Sequence, residues 1–352
     1  MTRWEDARAV LGNPAFSSDQ SRPGFPGQRP DLPPLAHGFF ANYDPPIHTT
    51  MRGTLTREFM VKKISALRPG IAEKTTRLLD EMTRSERRAD LVDGFALPLP
   101  SLVICDLLGV PYEDHAYFQK HSRVFVDAGA TGEQIGQAWE ELNAYLLGLL
   151  ATKRRNPGND VLSRLAEHVD AGTVTERDAS DLAVFLLFAG HETTANMIAL
   201  STVTLLRNPD QIPRLLAGPT EAANAVEELL RYLSIVHGGL RRYALEDVTI
   251  GGVTIPAGEG VIVPVHVANR DPEIFTDPDS LDLGRANARR HVAFGYGIHQ
   301  CLGQPLARAE LEIALPELFR RLPGLRLADP IEAVSFKENT LVYGVNELPV
   351  TW

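Results

Sequence analysis

Phe294-Gly-Tyr-Gly-Ile-His-Gln-Cys-Leu-Gly303, followed by Gln-Pro-Leu-Ala-Arg308, is the most informative part of this chain. It is a glycine-punctuated loop that brings one cysteine, Cys301, to the start of a helix. Glycine lets the backbone approach a flat and bulky group closely. The amides and dipole of a helix N-terminus stabilise a thiolate, which is a good ligand for iron. The stretch therefore predicts that Cys301 binds an iron ion.

Cys301 has three other interpretations. The plainest is a buried structural cysteine before an ordinary helix. His299 and Cys301 could form half of a zinc site, but the sequence has no second Cys/His pair to complete it. Gly295 and Gly297 suggest a phosphate loop, but the remaining glycine and lysine spacing is missing. Because loop, sulfur and helix agree with one another, the iron ligand is favoured.

The composition of the chain excludes some classes of protein. The 352 residues have a formal net charge of −10, so binding to nucleic acid or to an anionic membrane is not expected. Two cysteines make no disulfide framework and fit a reducing cytoplasm, where we expect the protein to reside. The amino terminus is charged and lacks an apolar h-region, so a signal peptide is not expected. Polar residues interrupt the most apolar stretch, 182–206, so a membrane span is not expected.

The apolar pattern predicts a mainly α protein with a small β region. Helical spacing occurs at 67–82, 95–108, 138–151 and 178–206, and a further helix is expected from about Gln304 to Arg321. Short strands with Gly-rich turns are expected at 240–265 and mostly loop at 270–300. Residues 17–46 are rich in Pro, Gly and Ser and are a candidate lid or substrate loop. With no break in composition, we expect a single domain over 1–352.

The segment Ala189-Gly-His-Glu-Thr-Thr194 lies inside the longest predicted helix. A glycine, an acid and two hydroxyls are locally unfavourable there, and such departures often mark function. Gly190 would let a flat ligand pack against the helix, and Thr193 can bond the carbonyl one turn back. The alternatives are a polar patch that faces a water-filled crevice and a simple helix kink.

Two further pairs share a helical face. Glu228 and Arg231 are spaced i, i+3, an arrangement that is most often a solvated ion pair. His48 and Arg52 are spaced i, i+4 and together offer donors that suit a carboxylate ligand. They are equally compatible with two surface side chains. Cys105 lies in an apolar helix and is expected to be a core residue.

Together these motifs resemble the cytochrome P-450 superfamily. Its haem-binding pattern, Phe-Gly-x-Gly-x-His-x-Cys-x-Gly, is matched at Phe294, Gly295, Gly297, His299, Cys301 and Gly303. The resemblance implies the fold of soluble bacterial P-450s, with haem b between the helix of Glu192 and the helix after Cys301. Cys301 would be the axial ligand of the haem iron.

The resemblance also implies roles for the other motifs. Ala189–Thr194 resembles the oxygen-activation segment, in which Thr193 would bond iron-bound dioxygen or its water and Glu192 would gate proton delivery. Glu228 and Arg231 would form a buried, fold-locking network with Arg285. The implied haem contacts, including propionate donors for which Arg241 could replace Arg242, are His48, Arg52, Arg242, His299, Phe294, Gly295, Gly303, Ala189 and Gly190.

The implied activity is a monooxygenase that inserts one atom of dioxygen into a C–H or C=C bond of a hydrophobic small molecule, as in secondary metabolism. Because no flavin or iron–sulfur segment is visible, electrons from NAD(P)H would arrive through ferredoxin and ferredoxin reductase. The protein is expected to be a monomer. A basic patch, Arg52, Lys62, Lys63 and Arg308, is the candidate docking site. Substrate-lining residues are expected in 17–46, 112–150, Phe185–Asn196, Ser234–Leu240 and Leu341–Asn346.

Two alternative functions remain open at this stage. One is a peroxide-driven variant, against which the Glu192-Thr193 pair argues. The other is a haem-binding protein without turnover, either a sensor or a truncated relic. Family members usually have several dozen residues before the segment that begins at Trp4, and this chain starts close to it.

Overall fold

A computed structural model describes residues 2–27, 37–84, 87–126, 129–337, 340 and 342–352. Helices account for most of the regular structure. They are α1 (Trp4–Gly12), α2 (Ile47–Thr56), α3 (Val61–Met82), α4 (Pro98–Leu108), α5 (His115–Val126), α6 (Gly132–Arg155), α7 (Val161–Asp170), α8 (Glu176–Arg207), α9 (Ile212–Leu215), α10 (Pro219–Leu233), α11 (Val265–Ala268) and α12 (Gln304–Arg321).

The strands of the described residues are short and form three small antiparallel sheets. They are β1 (Phe16–Ser17), β2 (Arg88–Asp90), β3 (Leu240–Ala244), β4 (Val248–Ile250), β5 (Val253–Ile255), β6 (Gly260–Val263), β7 (Arg326–Leu327) and β8 (Pro349–Thr351). The sheet orders are β1-β3-β6, β2-β8-β7 and β4-β5. The predicted mainly α fold with a small β region is confirmed.

The helix limits follow local signals in the sequence. Thr175 and Asp178 form a capping box that starts α8, with the Thr175 side chain accepting from the Asp178 amide and the Asp178 side chain accepting from the Thr175 amide. Pro98 is the first residue of α4, where its missing amide hydrogen costs no hydrogen bond. The helix predicted from Gln304 to Arg321 is observed at those residues. Residues 95–97, predicted as part of α4, belong instead to a preceding π-helical turn and its junction.

Helix α8 is the structural centre. It packs against α4, α6 and α12, and most of its side chains are buried. Within the described residues it is the one helix long and apolar enough to cross a membrane, but 72% of its most apolar window is buried inside the protein. Core helices of globular proteins have the same character. The site residues of α8 are therefore held by packing on several sides.

Part of the expected lid, residues 28–36, lies outside the described residues. The remainder contains β1 and a 3₁₀ turn at Phe40–Asn42, which leads towards α2. Phe39 stacks on Trp139 of α6 at a ring-centroid distance of 4.6 Å and meets Phe185 of α8 edge-on at 5.2 Å. This segment is thus packed on α6 and α8, two of the elements expected to line a substrate pocket.

Candidate functional site

The cysteine loop is shaped by two glycines and one backbone hydrogen bond. Gly295 and Gly297 have φ values of 72° and 76°, a region that side chains disfavour. A Cβ atom on Gly297 would also lie 2.5 Å from the carbonyl oxygen of Leu11 in α1. The amide of Cys301 donates to the Phe294 carbonyl at 2.9 Å, which closes the loop. Cys301 is thereby fixed three residues before α12 begins.

The sulfur of Cys301 faces an internal space. Its side chain is accessible to solvent, yet protein atoms surround it densely. Burial raises the pKa of the thiol, while the backbone amides of Gly303 and Gln304 and the guanidinium groups of Arg52 and Arg308 act to lower it. The surroundings therefore combine a low dielectric with donors and positive charge. Such an environment suits a thiolate that is bound to a metal ion.

Four basic side chains gather near this space. The rings of His48 and His299 lie 4.2 Å apart between centroids, and both side chains are electrostatically coupled to Arg52 and Arg242. Burial, together with Arg242, His48 and Arg52, lowers the pKa of His299 to about 3. Burial lowers the pKa of Arg242 to about 10, although Asp44 partly opposes this. The cluster thus places donors and positive charge together away from water.

The cluster has unmet hydrogen-bonding capacity. Both ring nitrogens of His48 and Nδ1 of His299 are buried and lack a protein partner at normal hydrogen-bond geometry. Buried donors are usually satisfied, so this arrangement calls for an anionic ligand. The two propionates of haem supply such anions, and Cys301 supplies the thiolate that a haem iron accepts. The residues present therefore fit haem.

The structure distinguishes the two candidate arginines at the start of β3. Arg242 is buried and is coupled to His299, whereas Arg241 is more exposed and donates to the Gly27 carbonyl at 3.4 Å. Neighbouring residues of a strand point to opposite faces. Of the two, Arg242 is the one that lies in the basic cluster.

In α8, the hydroxyl of Thr193 donates to the Ala189 carbonyl at 2.8 Å, the bond one turn back that the sequence suggested. The carboxylate of Glu192 is buried, accepts from Asn196 at 3.1 Å and forms an ion pair with Lys337. Burial alone would raise the pKa of Glu192, but Lys337, together with His191 and the hydrogen bond from Asn196, outweighs it and the pKa is lowered. Sequence analysis missed Lys337, since no pattern around it signals a contact with α8.

Gly190 lies against helix α4 on the side where a Cβ atom would project. A Cβ atom at this position would lie 2.9 Å from Cδ1 and Cγ1 of Ile104 in α4. Contacts this short force a neighbour to move. The space on this side of Gly190 is therefore filled by α4, and its contact with haem stays a prediction.

The expected fold-locking network is present. Glu228 and Arg231 are fully buried and paired at 2.7 Å, and Arg285 approaches the same carboxylate at 3.0 Å. Arg231 also donates to the carbonyls of Asn269 and Pro278. Because each charge is paired and hydrogen-bonded, the network ties α10 to the segment before the cysteine loop.

Cys105 is buried in the core as predicted, and burial raises the pKa of its thiol to about 12.

The basic patch is less free than the sequence suggested. Arg308 pairs with buried Glu227 through Nε at 2.8 Å and Nη2 at 3.1 Å, and Lys63 lies 3.2 Å from Glu58. Arg308 therefore shares its charge with a buried carboxylate, and the docking role of the patch stays a prediction. Lys62 is exposed and Arg52 is half-buried near Cys301.

Aromatic contacts join several of the segments expected to line a pocket. Phe125 of α5 meets Phe188 of α8 at 5.7 Å, and His237 stacks on Tyr343 at 4.6 Å. Leu341 lies outside the described residues. These contacts join α5 to α8 and the segment after α10 to the segment before β8.

Comparison with known proteins agrees with this geometry. The family model described as Cytochrome P450 matches residues 222–324, which include the Glu228 network and Cys301. The chain is 53% identical to cytochrome P450-SU2 of Streptomyces griseolus, across 100% of this chain and 87% of that protein. It is 42% identical to 20-oxo-5-O-mycaminosyltylactone 23-monooxygenase of Streptomyces fradiae, across 100% and 83%.

A solved structure extends the likeness to three dimensions. The crystal structure of GfsF, a cytochrome P450 of Streptomyces halstedii, is 45% identical and has a TM-score of 0.94. The match covers 100% of this chain and 89% of that one. Identity at this level over the whole chain, together with the cysteine loop and the basic cluster, leaves one assignment. This chain belongs to the cytochrome P450 family and is a haem-dependent monooxygenase.

Proposed function

We propose that the protein is a tailoring enzyme of secondary metabolism that inserts one oxygen atom from dioxygen into a C–H or C=C bond of a hydrophobic small molecule. The observation that carries this is Cys301 facing the same internal space as a basic cluster with unmet hydrogen-bonding capacity. The monooxygenase named above, which acts on a mycaminosyltylactone, supports an oxygen insertion of this kind.

The residues that would hold the cofactor are those of the site. Cys301 would ligate the iron, and His48, Arg52, Arg242 and His299 would bind the propionates. Haem, when bound, would supply dioxygen binding and oxidising power. Phe294, Gly295 and Gly303 keep the cysteine loop in shape, and Ala189 and Gly190 set the backbone of the facing helix.

Protons would be handled by Glu192 and Thr193 on α8. Lys337 keeps the Glu192 carboxylate ionised, so Glu192 can accept a proton at its oxygens and release it again. The Thr193 hydroxyl, now bonded to the Ala189 carbonyl, can turn its oxygen towards the pocket as an acceptor. The aromatic contacts around Phe185 and Tyr343 would exclude water from this pocket and bind an apolar substrate.

Electrons would come from NAD(P)H through a ferredoxin reductase and a ferredoxin that docks near Arg52 and Lys62. We place the enzyme in the cytoplasm as one domain over 1–352, acting as a monomer. Its acidic charge, −10, and its two unpaired cysteines support the cytoplasmic assignment.

Haem loading and optical spectroscopy test this proposal. The reduced, carbon-monoxide-bound protein should show the red-shifted Soret band of thiolate ligation, and Cys301→Ser should abolish it. Cys105→Ala is the matched control, because Cys105 is the other cysteine and lies in the core. A protein that fails to bind haem, or a Cys301→Ser variant that keeps the band, contradicts the assignment of Cys301.

Turnover with a surrogate ferredoxin and reductase then tests activity. Thr193→Ala should keep the thiolate spectrum but consume dioxygen with much less product. A peroxide-driven enzyme would instead form product with hydrogen peroxide and be indifferent to ferredoxin. A sensor would bind haem and turn over no ligand that shifts its spectrum.

A further inference from the structure

Glu227 is a buried acid to which the proposed mechanism gives no role. It precedes Glu228 in α10, is 2% exposed, and does not join the Glu228 network. Its carboxylate instead meets His291 at 2.9 Å, the guanidinium of Arg308 at 2.8 Å and, more distantly at 3.5 Å, the exposed guanidinium of Arg289. His291 lies three residues before Phe294, and Arg308 lies in the second turn of α12. Glu227 thus connects the two sides of the cysteine loop.

The hydrogen bonds of His291 fix its orientation. The backbone amide of Ala293 donates to Nδ1 of His291 at 3.1 Å, so Nδ1 must be an acceptor. The ring proton is then on Nε2, which donates to Glu227. The segment that leads into the cysteine loop is therefore anchored to the Glu227 carboxylate by a bond of defined direction.

All three nitrogens of the Arg308 guanidinium group donate hydrogen bonds. Nε and Nη2 donate to the two oxygens of Glu227, and Nη1 donates to the side-chain oxygen of Gln304 at 2.9 Å. The guanidinium carbon lies 4.7 Å from the centre of the Phe294 ring. The Phe294 carbonyl accepts the hydrogen bond from the Cys301 amide. Arg308 therefore packs directly on the loop that carries the sulfur.

Arg308 also contributes positive charge at the sulfur. It is one of two guanidinium groups that stabilise the Cys301 thiolate, the other being Arg52. The hydrogen bonds of His291 and Arg308 outweigh burial and lower the pKa of Glu227 to about 2. Glu227 is therefore ionised at ordinary pH and permanently offsets part of the Arg308 charge. The field on the sulfur depends on both members of the pair.

We propose that Glu227 is a positioning residue that, through Arg308, limits the positive field on the Cys301 thiolate and so keeps the reduction potential of the bound haem low. The inference rests on the proposed haem ligation by Cys301. Without the carboxylate, Arg308 would withdraw more charge from the sulfur and favour the reduced iron. Without the guanidinium, the carboxylate would do the opposite. The two single changes should therefore move the potential in opposite directions.

The test is a redox titration of the haem-loaded protein, followed by optical absorption. Glu227→Gln should raise the potential, shifting the equilibrium severalfold towards the reduced form. Arg308→Gln should lower it, and the double variant should return close to the unsubstituted protein. Arg308→Lys keeps the positive charge but loses the paired hydrogen bonds to Glu227. It should therefore shift the potential less than Arg308→Gln.

Glu312→Gln is the matched control. Glu312 lies on the same helix as Arg308, α12, but it pairs with Arg68 at 2.8 Å, whereas Glu227 is bonded to Arg308 and His291. The Glu312 variant should leave the potential unchanged. If loosening of the loop were the only consequence, Glu227→Gln and Arg308→Gln would shift the potential in the same direction and weaken haem binding alike. That outcome, or no shift in either, overturns the proposal.

Carbon-monoxide spectra distinguish a failure of the proposed role of Glu227 from a failure of the proposed haem ligation by Cys301. Variants that keep the thiolate band and show no opposed shifts overturn the role of Glu227 alone. An unsubstituted protein without the thiolate band overturns the proposed ligation and this inference with it. If Glu227→Gln alone does not fold, the comparison of Arg308→Gln with the double variant still decides, because the second change removes the carboxylate without leaving a guanidinium unpaired and should raise the potential.

Discussion

The site has two sides, which are held in different ways. The Cys301 side consists of the cysteine loop, 294–303, and the segments that support it, and the α8 side consists of 189–194 in α8. On the Cys301 side, Glu228, Arg231 and Arg285 form a buried network whose charges are all paired, and the loop is closed by its own backbone. On the α8 side, Glu192 depends on Lys337, which is 145 residues away in sequence and lies in an irregular segment. A ligand bond needs fixed geometry, whereas proton transfer needs a partner that can be released. In the proposed function, Cys301 would meet the first requirement and Glu192 the second.

The largest effect is expected on the Cys301 side. Arg231→Met should reduce the free energy of unfolding by about 3–5 kcal/mol, because it leaves the buried Glu228 with only part of its compensation. Urea unfolding followed by circular dichroism measures this. Arg68→Met is the control, since it breaks a partly exposed pair with Glu312 and should cost about 0–1 kcal/mol. Equal costs for the two variants would show that the network does not hold this side.

A smaller loss of stability is expected on the α8 side. Gly190→Ala should cost about 1–3 kcal/mol, because the new methyl group collides with Ile104. In an Ile104→Ala background the same change should cost clearly less, which a double-mutant cycle would detect. Gly148→Ala is the control: Gly148 is inside α6 with open space around it, so alanine should be neutral or stabilising there. A full cost in both backgrounds would refute the packing explanation for Gly190.

Sequence patterns predicted the Cys301 side better than the α8 side, for a physical reason. The cysteine loop, the Glu228–Arg231 spacing and the limits of α12 are encoded within one or two helical turns. Lys337 and Ile104 reach α8 from other segments, and no local period records such contacts. The Glu227–His291–Arg308 cluster was missed likewise, because its members are 64 and 81 positions apart. Family resemblance supplied Arg285 and Arg242, which residue spacing alone could not identify.

The charge of Lys337 should control the protonation of Glu192. The folded-state pKa of Glu192 is lowered, so this pair adds stability above the ordinary carboxyl pKa and loses it as the pH falls through the folded value. In Lys337→Met burial would dominate and the pKa of Glu192 would rise. The pH profile of product formed per dioxygen consumed should then move to higher pH, while the thiolate spectrum stays unchanged.

Lys337→Arg keeps a cation beside Glu192 and is the matched control for this experiment. It should restore most of the original pH profile. Should Lys337→Met leave the profile in place, Glu192 does not carry the proton that limits turnover. The Glu192–Lys337 pair would then have only a structural role, like the Glu228 network, and the two sides would no longer differ in function.

The smallest effect concerns the surface beside the Cys301 side. Lys62 is exposed, whereas the charge of Lys63 is already shared with Glu58. Lys62→Glu should therefore slow electron transfer from ferredoxin severalfold at low salt, and Lys62→Gln should have a smaller effect of the same sign. Stopped-flow reduction measures both rates. Because salt screens exposed charges, the difference should disappear at high ionic strength. Rates that are unchanged at low salt would place the ferredoxin on another face.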